Sequence, residues 1–223
     1  MNLNKSLEFF APSMCKDRIH IIGCGSVGST IATNLVRFGL TKITLWDFDV
    51  VEDKNIVNQS FRHVDVGKKK VDALKDILCE INPDVESGLK FKPNGWNGEP
   101  LSGWVFLAVD SIEIRKQIVE QHKGSAVVKG MFDFRTRLTD AQHYAASWED
   151  QEAVTNFLNS MQFTKEEAAE STPVSACGVT LGVFPTVEII VGYGVSNFIR
   201  LVKGESYNRL IMADAFGGGY MSV

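Results

Sequence analysis

The sequence has no CxxC pair: its four cysteines, Cys15, Cys24, Cys79 and Cys177, are scattered singly. That excludes a disulfide framework or zinc ribbon and fits a reduced, cytoplasmic protein. No stretch approaches the roughly 18 consecutive apolar residues of a membrane helix. The N-terminus has no basic region followed by an apolar one, so export is not expected. No basic block marks a nucleic-acid partner, and the formal net charge is only −4. Internal repeats, low-complexity tracts and an acidic tail are also missing.

What is present is enough apolar material for a full core, 44% of 223 residues. The length suits one α/β domain spanning residues 1–223. Residues 1–17 read as irregular, covering an edge or reaching a neighbour. Residues 18–22 read as a buried strand, followed by Gly23-Cys24-Gly25-Ser26-Val27-Gly28 and a helix over 29–38. A strand over 42–46 then ends on Asp47-Phe48-Asp49. This is a nucleotide-binding βαβ pattern. Gly23 permits the tight turn, Gly25 lets backbone approach a phosphate, and Gly28 lets helix pack on strand. The helix start offers free N–H groups and partial positive charge to an anion. Asp47 follows Gly28 by about 20 residues, the interval expected of an acid that binds a ribose hydroxyl. Strand alternation places Asp47 and Asp49 on one face.

A polar loop over 51–69 leads to a helix over 70–81, whose Val71, Leu74, Ile77 and Leu78 form an apolar face. A dinucleotide-binding dehydrogenase has no use for this amide- and cation-rich loop, whereas a triphosphate needs cations. Residues 88–103 read as a Gly/Pro/Asn/Trp-rich loop. Strands follow over 104–109, 125–134 and 139–146, with a helix over 112–122 that Asp110 can cap. Asp133, Arg135 and Arg137 alternate at the end of the second of these strands, as on an exposed strand face. An acidic helix over 148–171 buries Val154, Phe157, Leu158 and Met161. A helix over 187–203 and a strand over 210–215 close the chain.

Residues 18–84 resemble the ThiF/MoeB family, bacterial relatives of ubiquitin-activating enzymes. The resemblance rests on Gly23 to Gly28, Asp47-Phe48-Asp49-Val50-Val51, Asn55, Gln59, Gly67 to Lys70, and Asn82-Pro83. It implies a Rossmann-like, mostly parallel sheet with helices on both faces. Residues 18–84 would be the nucleotide core and residues 145–176 a crossover segment. It also implies ATP with Mg2+, Lys70 as the charge-stabilising cation, Asp110 as the metal ligand, and Asp47, Asp49 and Asn55 around the nucleotide. Asn58 stands where the family has a phosphate-binding arginine, and Arg62 is the nearby substitute. Cys177 matches a cysteine that in several members receives the acyl group. The expected activity is an ATP-dependent adenylyltransferase acting on a ubiquitin-like or sulfur-carrier protein with a C-terminal glycine, within a homodimer. The family also implies an arginine donated across that dimer, and residues 1–17 contain no arginine. The alternatives are a degenerate dimeric nucleotide-binding scaffold and an RNA-modifying dehydratase of the same family.

Overall fold

A computed structural model describes residues 1–164, 166–167, 174–176 and 181–223. Five strands run parallel: β1 (Ile19–Ile22), β2 (Ile43–Trp46), β3 (Lys90–Lys92), β4 (Gly103–Leu107) and β5 (Val128–Thr136). Three antiparallel strands extend the sheet: β6 (Asp140–Ser147), β7 (Leu210–Asp214) and β8 (Tyr220–Ser222). The spatial order is β3-β2-β1-β4-β5-β6-β7-β8. Helices are α1 (Ser26–Arg37), α2 (Lys70–Ile81), α3 (Ile112–His122), α4 (Gln151–Asn159) and α5 (Phe184–Val202).

Side-chain alternation along the strands divides the apolar residues into two cores. Ile19, Ile21, Phe106, Phe132 and Phe134 face α1, α2 and α5. Ile22, Val105, Leu107 and Met131 face α3 and α4. The first core centres on stacked Phe106 and Phe132, 4.8 Å apart, with Phe198 edge-on to both. Such aromatic pairs contribute about 1 kcal/mol each beyond simple burial. This is the α/β architecture, with helices on both faces, that the sequence implies.

Several boundaries differ from expectation, each for a local reason. The first helix begins at Ser26 rather than 29, because Ser26, Val27 and Gly28 already turn helically behind Gly25. The last helix begins at Phe184, since Pro185 fits the first turn, where its missing N–H costs nothing. Asp150 caps α4 by accepting from the Ala153 N–H, but the helix ends at Asn159; residues 162–164 are not helical. Asp110 does not cap α3. Ser111 does, accepting from the Ile114 N–H at 3.2 Å. Within the expected 88–103 loop, Lys90–Lys92 forms a strand beside β2. The N-terminal stretch closes one end of a core: buried Phe10 meets Phe38 edge-on at 5.9 Å.

Candidate functional site

The carboxyl ends of β1, β2 and β4 converge, which is where open parallel sheets bind ligands. Gly23 leaves β1 at φ +93°, and a Cβ there would stand 2.6 Å from the Ala108 oxygen, beyond β4. At Gly28 a Cβ would fall 1.9 Å from the Gly23 oxygen, so α1 can start this close to the turn only without a side chain. At Gly25, by contrast, a Cβ would meet nothing within 4 Å. No side chain caps the first turn of α1. The turn therefore presents open backbone beside a helix start, a geometry suited to an anion.

Asp47 is the hinge of this arrangement. One carboxylate oxygen accepts the Cys24 N–H and the other the Asp49 N–H, both at 2.7 Å. Its own N–H donates to the Lys92 oxygen of β3 at 3.2 Å. The carboxylate is buried, and each oxygen keeps a lone pair for a ligand. Cys24 lies fully buried beneath it, and burial together with the Asp47 charge pushes its thiol well above the usual range. That thiol is chemically inert.

Asp49 faces a different partner. Its carboxylate lies 2.8 Å from the Lys70 ammonium, and its carbonyl oxygen accepts the Lys70 N–H at 2.9 Å. The Val51 N–H donates to Lys68, and the Gly67 N–H donates to Val51, each at 2.8 Å. These bonds lace the end of β2 to the start of α2 and hold Lys70 beside the two acids. Asp110 is exposed beyond β4 and has no ion pair among the described residues. It is two residues past Ala108, whose carbonyl abuts Gly23.

The loop residues are engaged elsewhere. Asn55 caps the turn Asp53–Asn55, its side-chain oxygen accepting the Glu52 N–H at 2.8 Å. The Asn58 amide donates to the Gly182 oxygen at 3.4 Å. Arg62 grips Asp65 through Nε at 2.9 Å and Glu80 through its terminal nitrogen at 2.6 Å. Burial alone would raise the Asp65 carboxyl, but bonds from the Arg62 side chain and backbone and from Lys68 bring it down to about 2. Arg62 would have to release two carboxylates to reach a phosphate. Arg18 is likewise tied to the Ile43 and Gly88 carbonyls. Cys177 lies outside the described residues.

The Asp133–Arg135 face is not the exposed one that alternation suggests. Asp133 is buried, bonded to Arg115 Nη1 at 2.5 Å and to Arg135 Nε at 2.7 Å. The sequence reading gives Arg115 no role. The signal for it is an acid inside the apolar run Met131-Phe132-Asp133-Phe134, which demands a buried cation.

The family model described as ThiF family matches residues 13–222. Ubiquitin-like modifier-activating enzyme 5 of Arabidopsis thaliana is 45% identical over 67 residues, 30% of this chain and 16% of that protein. Crystal structures of E. coli MccB with ATP and with MccA superpose at TM-scores of 0.67 and 0.73 and identities of 18% and 16%. Each covers 95% of this chain, while this chain spans 65% of MccB.

Proposed function

Because the chain belongs to the ThiF family, we propose that it is an ATP-dependent adenylyltransferase that activates the C-terminal carboxylate of a ubiquitin-like or sulfur-carrier protein. The observation that carries this reading is the Asp47 carboxylate bonded to the Cys24 N–H of the glycine turn, with the open Gly25 backbone next in the turn and Lys70 paired to Asp49 two residues past Asp47. The crystal structures of MccB with ATP and with MccA support a site of this fold that takes a nucleotide and a second partner.

The residues divide the work as follows. Asp47, pre-oriented by two backbone N–H groups, accepts the ribose hydroxyls. The first turn of α1 and the Gly25 backbone receive phosphate oxygens. Lys70 turns its ammonium from Asp49 toward the phosphates, and Asp49 keeps it in reach. A carboxylate oxygen of the acceptor attacks the α-phosphorus; the bond to the bridging oxygen breaks, and its electron pair leaves on pyrophosphate. Asp110 is a hard oxygen donor in the open, and one carboxylate plus substrate phosphates is a fitting set for Mg2+. A magnesium ion held there would offset phosphate charge. We further propose a cytoplasmic homodimer. Among the described residues, no helix is long and apolar enough to cross a membrane.

A second reading, a nucleotide-binding scaffold without turnover, is favoured by one observation: Asn58 and Arg62 are both engaged away from the acids. ATP–pyrophosphate exchange with carrier proteins ending in Gly-Gly separates the two. Exchange above the no-carrier background is the expected result, and ATP binding without exchange favours the scaffold.

A further inference from the structure

We propose that Arg115 is a positioning residue for Asp110, holding the loop after β4 so that this acid faces the nucleotide phosphates. The inference rests on the metal role of Asp110 proposed above. Nothing among the described residues fixes the Asp110 side chain itself, so its direction comes from its backbone. That backbone is held on both sides by α3. Behind it, the Val109 carbonyl accepts Arg115 Nε at 2.7 Å and a second bond from Arg115 Nη2. Ahead of it, Ser111 caps α3. The clamped peptide is next to the glycine turn, because a Cβ on Gly23 would stand 2.8 Å from the Val109 nitrogen.

Arg115 is itself locked. Its Nη1 reaches Asp133 at 2.5 Å and the Phe134 oxygen at 2.6 Å, and only 8% of the residue is exposed. Stability alone does not account for this. The same helix fills the layer with Ile112, Ile118 and Val119, and Met131 of β5 faces it. An apolar residue at 115 would pack there without the desolvation of a guanidinium and a carboxylate, an exchange that is often neutral or stabilising. What an apolar residue cannot do is hold a carbonyl with a two-pronged, geometrically fixed donor.

The test is calorimetric titration of ATP into wild type, Arg115→Lys, Asp110→Asn and their double variant, in excess chelator and in excess magnesium. The readout is the factor by which magnesium tightens ATP binding. Arg115→Lys keeps the charge against Asp133 but loses the fork on Val109. It should lower that factor about tenfold, the low end for residues that orient a metal ligand. Metal-free ATP affinity should stay within about twofold of wild type. Asp110→Asn should remove the magnesium effect, and the double variant should be no worse, since both changes act on one ligand. Asp133→Asn breaks the clamp from β5 and must give the same loss, which covers the case of an Arg115→Lys protein that does not fold. A wild-type magnesium factor in folded Arg115→Lys, or equal weakening with and without metal, overturns the inference while leaving the adenylation reading intact. A wild type that binds ATP no better with magnesium overturns both.

Discussion

The Lys70 ammonium lies 2.8 Å from Asp49, yet the two partners are unequally placed: 8% of the lysine side chain is exposed against 50% of the carboxylate. The asymmetry fixes the order of two mutational effects. Asp49→Ala strands a buried ammonium and should cost about 1–2 kcal/mol, less than a fully buried pair because Asp49 is half in water. Lys70→Met removes the buried charge itself and should cost less stability, but more ATP affinity. Urea denaturation and ATP titration of both variants check the crossed order.

The roles proposed for the doubly bonded Asp47 and the open backbone at Gly25 predict a nucleotide preference. ATP with magnesium should raise the melting temperature more than NAD at equal concentration. At a hundred times Kd the gain is about 2.7 kcal/mol. Equal or greater protection by NAD contradicts a polyphosphate site.

Asp110 is exposed, so Asp110→Asn should leave the melting temperature unchanged. In ATP–pyrophosphate exchange it should lower kcat roughly a hundredfold, as when one preorganised charge-stabilising group is lost. An unchanged rate removes Asp110 from the mechanism.

The glycines of the turn should separate fold from ligand. Gly28→Ala drives a methyl into the Gly23 carbonyl and should destabilise by about 1–3 kcal/mol. Gly25→Ala has open space, so it should keep its stability while weakening ATP binding where a phosphate approaches. Thermal melts and ATP titrations of both variants provide the check.

Two buried histidines govern the acid limb of stability. Burial first, then the nearby Arg18 charge, brings His20 down to about 4, and burial brings His143 to about 4. Unfolding restores both to near 6.5. Between pH 6.5 and 4 the unfolded chain therefore binds protons that the folded one refuses, and stability falls as pH falls. Each histidine contributes up to about 1.4 kcal/mol per pH unit across that window. His143→Phe should flatten the slope, measured by urea denaturation at about pH 7, 6 and 5.

The first βαβ unit is legible in the sequence because its signals are local. Apolar runs, three glycines and an acid at a fixed interval specify β1, α1 and β2 together. Lys90–Lys92 and Tyr220–Ser222 escape because each is three residues long, half-buried or exposed, and carries no periodicity. α4 ends at Asn159 with no Gly or Pro to stop it, and just beyond its end Arg135 of β5 takes the Ser160 carbonyl and hydroxyl, a contact from a distant element. Asp133 inside its apolar run announces a buried cation but not which one: Arg115 lies on a separate element and meets it only once β4 and β5 are side by side.

The bonds on Asp47 tie two properties to one group. The carboxylate that would read the ribose also fastens the glycine turn to the end of β2. A substitution that retunes nucleotide choice at this position must also loosen the seam between β1 and β2. Specificity here is thus not an adjustable surface property. A changed preference would have to come from groups around Asp47, with Asp47 itself kept.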